Sequence, residues 1–163
     1  ITAAALLADR AGDALAQALA DRAPKAHATV LTPHPLEAAR LLGTDTASVQ
    51  SHRLAAAEQL AERFQCVVVL KGSGTVVAAP NQAPRINPTG NALLATAGTG
   101  DVLAGIIAAL AATLPPFDAA CAGVALHALA AECWCAETSA DRGMLAGDIL
   151  GHMPAAWDKI ISE

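Results

Sequence analysis

Cys66-Val67-Val68-Val69-Leu70 is an unbroken apolar run rich in β-branched residues, and it constrains the fold more than any other segment. A run with no polar alternation has no wet face, so it fits a strand covered on both sides. Turn residues follow at once, Lys71-Gly72-Ser73-Gly74, and then a second apolar run over residues 75–79. So short a connection pairs the two runs as a hairpin. Pro80-Asn81-Gln82 turns the chain again, and residues 85–87 read as a short edge strand.

The flanking segments supply the cover. Residues 28–32 read as a buried strand stopped by Pro33 and Pro35, and helical spacing resumes over 36–42. Residues 46–64 read as one amphipathic helix with Val49, Leu54, Ala57, Leu60 and Ala61 on a shared face. The Ala-rich residues 2–23 read as two short helices broken near Gly12. Downstream, 88–100 is a loop and 101–113 a helix. Pro115-Pro116 then makes a stop, and Asp118 caps a long helix to about residue 137. The tail reads as one or two helices near 146–152 and 154–161. Strand–helix alternation, a hairpin and a helical C-terminal third make an α/β layered fold. All 163 residues fit one domain.

Composition agrees and excludes several classes. Apolar residues are 54% of the chain, yet aromatics are only 2% and the excess is alanine, which lets helices approach a sheet closely. No uninterrupted apolar run reaches the ~18 residues of a membrane span, and no basic segment followed by an apolar stretch opens the chain. A net charge of −5 argues against a general nucleic-acid surface. It leaves room for a small anion held by backbone dipoles. Cys133-Trp134-Cys135 has one intervening residue, too few for a zinc site, so with Cys66 and Cys121 these read as free thiols of a reducing, cytoplasmic compartment.

The chemistry centres on Ala97-Gly98-Thr99-Gly100-Asp101. A loop with two glycines meets an apolar helix at its N-terminus, where unpaired N–H groups and the helix dipole favour an anion. Gly98 and Gly100 permit positive φ and a close phosphate approach. Asp101 then stands as a base beside the anion hole, or as an N-capping aspartate after a glycine turn. His127 sits mid-helix among Val124, Leu126 and Leu129 and reads as a packed or hydrogen-bonded core histidine. Asp148 reads as a cap or ion-pair partner in the C-terminal helices.

Three motifs together resemble a known family. Ala97 to Asp101 with Val102, Leu103 and Gly105 is similar to the anion-hole signature of ribokinase-like enzymes. Leu31-Thr32-Pro33-His34-Pro35-Leu36-Glu37 resembles the Thr-Pro-His-Pro-x-Glu motif of the NAD(P)H-hydrate dehydratases, and Val69 to Thr75 their nucleotide-binding segment. Gly90-Asn91, Val124 to His127 and residues 141–148 match in order. Relatives that phosphorylate thiamin precursors usually have Asn at the position of His34.

The resemblance implies a ribokinase-like layered fold, with a central, mostly parallel sheet that includes a hairpin and helices on both faces. It also implies that residues 1–163 are the C-terminal portion of a longer domain. The family's Asp-Ala-Asp-Ala-Leu strand end is echoed only by Asp13-Ala14-Leu15, so the chain is expected to start just after it. The implied activity is repair of hydrated NADH and NADPH: phosphorylation of the ring hydroxyl at the expense of ADP or ATP with Mg2+, then elimination of phosphate. Asp101 would act on the substrate hydroxyl within the Gly98, Thr99 and Gly100 anion hole. His34 would contact the hydrate, and Glu37 would contact it as well, orient the His34 loop or hold metal. Lys71, Gly72, Ser73, Gly74, Thr75, Asn91 and Gly100 would bind the adenine nucleotide, and no side-chain cluster would hold a metal. Each has a plainer alternative: a solvated turn lysine for Lys71, a helix-start histidine for His34, a helix-surface carboxylate for Glu37, a turn residue for Asn91. A homo-oligomer is expected, with an NAD(P)H-hydrate epimerase domain fused or separate, and no nucleic-acid or membrane partner. A small-molecule kinase of the same fold and a non-catalytic nucleotide-binding fragment are the competing readings.

Overall fold

The computed structural model describes residues 17–19, 21–22 and 28–162. Gly12, Asp13 and His27, and most of the expected N-terminal helices, lie outside the described residues. Four strands form one sheet in the order β1 (Val30–Leu31), β2 (Val67–Leu70), β3 (Val76–Ala79), β4 (Gln82–Ile86). β1 and β2 are parallel, and the β2–β3 and β3–β4 pairs are antiparallel. The sheet is therefore mixed over these strands rather than mostly parallel, because two of its three connections are tight turns that reverse the chain.

All four residues of β2 and of β3 are buried, as the unbroken apolar run requires. Their side chains alternate between two cores. Val68, Leu70, Val76 and Ala78 pack with α1 (Pro35–Leu42), α2 (Thr46–Ser51) and α3 (Arg53–Phe64). Val67, Val69, Val77 and Ala79 pack with α4 (Thr99–Leu110) and α5 (Pro116–Thr138). Helices thus cover both faces. α6 (Ala146–Ile161) packs on α4 and α5 in a third cluster around Trp134, Met144 and Ile149.

Several boundaries differ from the sequence reading. The expected 46–64 helix is two helices, broken at His52, whose φ of −133° and ψ of 48° are not helical. The Ser51 hydroxyl bonds the carbonyls of Ala47 and Ser48 there, competing with the backbone ladder. Leu54, expected on the buried face, is exposed. β4 starts three residues earlier than expected, ends one residue earlier, and contains Pro84, which an edge strand tolerates. Asp118 lies in the first turn of α5 rather than at its cap, which is Pro115. The tail is one helix with Pro154 inside it.

α5 shows the limit of searching for uninterrupted apolar runs. At 23 residues it is long and apolar enough to cross a membrane by length and composition, although polar residues interrupt it. Within the fold 61% of its most apolar window is buried. We read it as the central helix of the layer, bounded by α4, α6 and the sheet.

Candidate active site

The three motif segments converge on one cavity of about 660 Å3. It opens where β2 ends, between the Lys71–Thr75 turn, the loop of residues 87–96 and the start of α4. Ligands of open α/β sheets collect at such strand ends. His34, Lys71, Gly72, Ser73, Gly74 and Thr75 line it. Asn91, Thr99 and Gly100 line it from the opposite side. Glu37, Gly98 and Asp101 are not among its walls, although the last two flank residues that are.

The glycine loop builds a helix start suited to an anion. Gly98 is the N-cap of α4 with φ +87°, a left-handed conformation that glycine adopts without strain. The helix begins at Thr99, two residues earlier than expected, so Gly100 is its second residue and has no positive φ. Its lack of a side chain matters for approach instead. A Cβ at Gly100 would lie 3.1 Å from Lys71 Nζ. The amides of Thr99, Asp101 and Val102 bond to loop carbonyls, whereas the Gly100 amide has no acceptor among the described residues. Lys71 has no carboxylate partner among them either. A free amide, a helix N-terminus and an unpaired ammonium therefore meet at one point, and all three favour an anion.

Several of the expected site residues also make hydrogen bonds with the backbone around the cavity. The buried Thr99 hydroxyl lies 2.7 Å from the Leu94 carbonyl and 2.8 Å from that of Thr96, so it ties α4 to the preceding loop. Asn91 Oδ1 accepts from the Leu93 amide at 3.1 Å, and its Nδ2 donates to the Ala131 carbonyl at 3.3 Å. Both amide atoms of Asn91 are thus engaged with backbone, at a residue that also lines the cavity. Glu37 forms a capping box with His34: the Glu37 amide donates to His34 Nδ1 at 3.2 Å, and the His34 amide donates to Glu37 Oε2 at 2.7 Å. Glu37 thus orients the histidine, while His34 keeps its ring at the cavity edge with its side chain 47% exposed. Asp101 is exposed in the first turn of α4, with no side-chain hydrogen bond among the described residues. Asp148, in the first turn of α6, accepts from the amide of its N-cap Leu145 at 2.8 Å.

His127 is the core histidine expected from its neighbours, and it also walls the cavity. Its Nε2 lies 2.9 Å from the Thr99 carbonyl, and a carbonyl only accepts, so Nε2 carries the proton. Burial lowers its pKa, the Thr99 hydrogen bond opposes that, and the nearby Lys71 charge lowers it further. Gly90 was legible only as part of a matching dipeptide. It adopts φ +106°, and its amide donates to Glu132 Oε1 at 2.7 Å, fixing the far wall to α5. Neither Glu132 nor the wall residue Thr89 carried a signal in the sequence.

The model for NAD(P)H-hydrate dehydratase matches residues 3–155. The chain belongs to that family. It is 52% identical over 121 residues to the ADP-dependent (S)-NAD(P)H-hydrate dehydratase of Neisseria meningitidis serogroup B, covering 74% of this chain and 41% of that protein. It is 51% identical over 136 residues to the bifunctional NAD(P)H-hydrate repair enzyme of Escherichia coli K12, covering 83% of this chain and 26% of that protein. The fold superposes on the crystal structure of the ADP/ATP-dependent NAD(P)H-hydrate dehydratase of Bacillus subtilis, co-crystallised with ATP and Mg2+ and soaked with CoA. The TM-score is 0.76 at 35% identity, over 81% of this chain and 49% of that one. A ribokinase-like superfamily protein of Enterococcus faecalis V583 superposes with a TM-score of 0.67 at 27% identity, over 88% of this chain and 50% of that one. The fold is therefore α/β and ribokinase-like. The chain spans less than half the length of these dehydratases.

Proposed function

We propose that this chain supplies the phosphate-binding half of a nucleotide-dependent NAD(P)H-hydrate dehydratase. The observation that carries the reading is the Lys71 ammonium beside the free Gly100 amide at the positive end of α4. Neither group has a counter-charge, and the terminal phosphates of ADP or ATP would supply one. The family relationship narrows the acceptor to the ring hydroxyl of hydrated NADH or NADPH, and His34, which also lines the cavity, would contact it.

Asp101, in this reading, takes the proton from the substrate hydroxyl as that oxygen attacks the terminal phosphorus. The phosphorus–oxygen bond to the donor breaks, and the shortened nucleotide leaves with the bond's electrons. The Gly100 amide and Lys71 stabilise the charge on the transferring group. Phosphate is a far better leaving group than hydroxide, so the carbon–oxygen bond then breaks and a proton departs to restore the dihydropyridine. The described residues contain no group of three metal-ligating side chains. Mg2+, in this reading, arrives on the nucleotide phosphates, since this ion keeps few protein ligands. An epimerase, fused or separate, would convert the unreactive epimer of the hydrate into the S form that names the Neisseria relative. A cytoplasmic homo-oligomer remains part of this proposal.

The test is recovery of NADH absorbance from hydrated NADH by the intact protein, with ADP, with ATP and with no nucleotide. Recovery only with nucleotide supports the proposal. A phosphorylated alcohol as the stable product would make it a kinase instead, and nucleotide binding without turnover would leave a binding module.

A further inference from the structure

The Lys71–Thr75 turn is held from behind by a residue outside the cavity. Arg53 opens α3, directly after the break at His52. Its Nη2 lies 3.1 Å from the Leu70 carbonyl, 3.4 Å from that of Lys71 and 3.2 Å from that of Gly74. Its Nη1 donates to Gln50 Oε1 at 2.7 Å, so the end of α2 aims the guanidinium. Gly72 lets it approach: with φ +142°, a Cβ there would lie 2.9 Å from Arg53 Nη1. No carboxylate pairs with Arg53 among the described residues, and the turn carbonyls supply its negative partners.

We propose that Arg53 is a positioning residue for nucleotide binding, fixing the peptide planes of the Lys71–Thr75 turn so that their N–H groups face the phosphates; this rests on the nucleotide-site reading above. A trans peptide holds its C=O and N–H on opposite sides. The carbonyls of Lys71 and Gly74 point at Arg53, so the amides of Gly72 and Thr75 point away from it. The turn walls the cavity and Arg53 does not, so the guanidinium braces the turn from outside the ligand space, and we assign the amide side to the ligand. Without the guanidinium the same carbonyls are free to turn toward the ligand and repel its phosphates. The brace also fixes the backbone from which Lys71 reaches Gly100. Lysine is a poor substitute, because a single ammonium lacks the planar fork that bonds several carbonyls and Gln50 together.

The experiment compares Arg53→Ala and Arg53→Lys with the unaltered intact protein, by calorimetric titration with ADP and by steady-state kinetics. The expected result for Arg53→Ala is at least about tenfold weaker ADP binding, equivalent to ~1.4 kcal/mol, with the KM for hydrated NADH within about twofold. Methylguanidinium at millimolar concentration is expected to restore ADP affinity to Arg53→Ala, which a general loss of stability would not allow. Arg53→Lys is expected to fall between the two, and it decides the matter if the alanine variant does not fold. Unchanged ADP affinity in either folded variant overturns the brace and leaves the nucleotide site standing. Absence of ADP and ATP binding to the unaltered protein overturns the site and the brace together.

Discussion

Lys71 Nζ lies so close to Gly100 that a Cβ there would stand 3.1 Å from it, although the two residues belong to different motifs. The ammonium rests at the positive end of α4, an arrangement that is repulsive until an anion comes between. Gly100→Ala tests this directly. Gly100 has helical backbone, so alanine introduces no strain, and the lysine end can shift to admit the methyl group. The expected stability change is within about 1 kcal/mol, since alanine favours a helix over glycine. Nucleotide affinity should nevertheless fall at least about tenfold, ~1.4 kcal/mol, because the methyl occupies the phosphate's approach. Thermal melts and ADP titration on the same preparation read the two effects separately.

Asp101→Asn separates the anion site from proton transfer. Asp101 is exposed and makes no side-chain hydrogen bond among the described residues, so the fold asks little of it beyond ~0.3–1 kcal/mol with the helix dipole. Loss of a general base should lower kcat by about 10²–10⁴-fold. ADP and ATP should bind as before, because the Gly100 amide and Lys71 are untouched. Hydrate repair by this variant at the unaltered rate would remove Asp101 from the mechanism.

The sequence disclosed the site's parts better than their division of labour. The apolar run of β2 required cover on both faces, and the α1–α3 and α4–α5 layers provide it. The glycine loop, the Lys71 turn and His34 each carried local signals, and they do meet at one cavity. Composition could not show that Thr99, Asn91 and Glu37 spend their polar atoms on the backbone around them, because those bonds depend on where each loop turns. Arg53 was invisible for a similar reason. It lay within an apparently continuous helix, and only the break at His52 puts it at the start of α3 behind the Lys71 turn. Hydrophobic period reports faces well, but it does not register a break made by Ser51 and His52.

The α4–α5 contact supplies a stability test remote from the ligand. A Cβ at Gly123 would lie 2.7 Å from Ile107 Cγ1 and 3.4 Å from Ile107 Cα, and Ile107 is itself fully packed. The neighbour on that side includes backbone, so relief requires the helices to separate. Gly123→Ala is expected to destabilise the protein by about 1–3 kcal/mol despite alanine's better helix propensity. Urea unfolding measures it. A stabilised variant would mean that the two helices are not as closely apposed as described.

His127 should make stability depend on pH in one direction. Burial is the main cause holding its folded pKa below the ordinary 6.5, so the native state favours the neutral ring. Above pH 6.5 both folded and unfolded chains carry it neutral, and its full contribution is present. As pH falls below that value the unfolded chain takes up a proton that the native state resists, so the unfolding free energy declines. The decline levels off once the pH is below the folded pKa. His127→Gln removes this titration and, if glutamine cannot reach the Thr99 carbonyl, costs about 1 kcal/mol at neutral pH as well. Urea titrations at pH 7.5 and pH 5.5 should therefore differ by less in the variant than in the unaltered protein, a difference of differences in which the other histidines cancel. An equal pH effect in both would mean that the His127 pKa does not change on folding, contrary to its burial against Thr99.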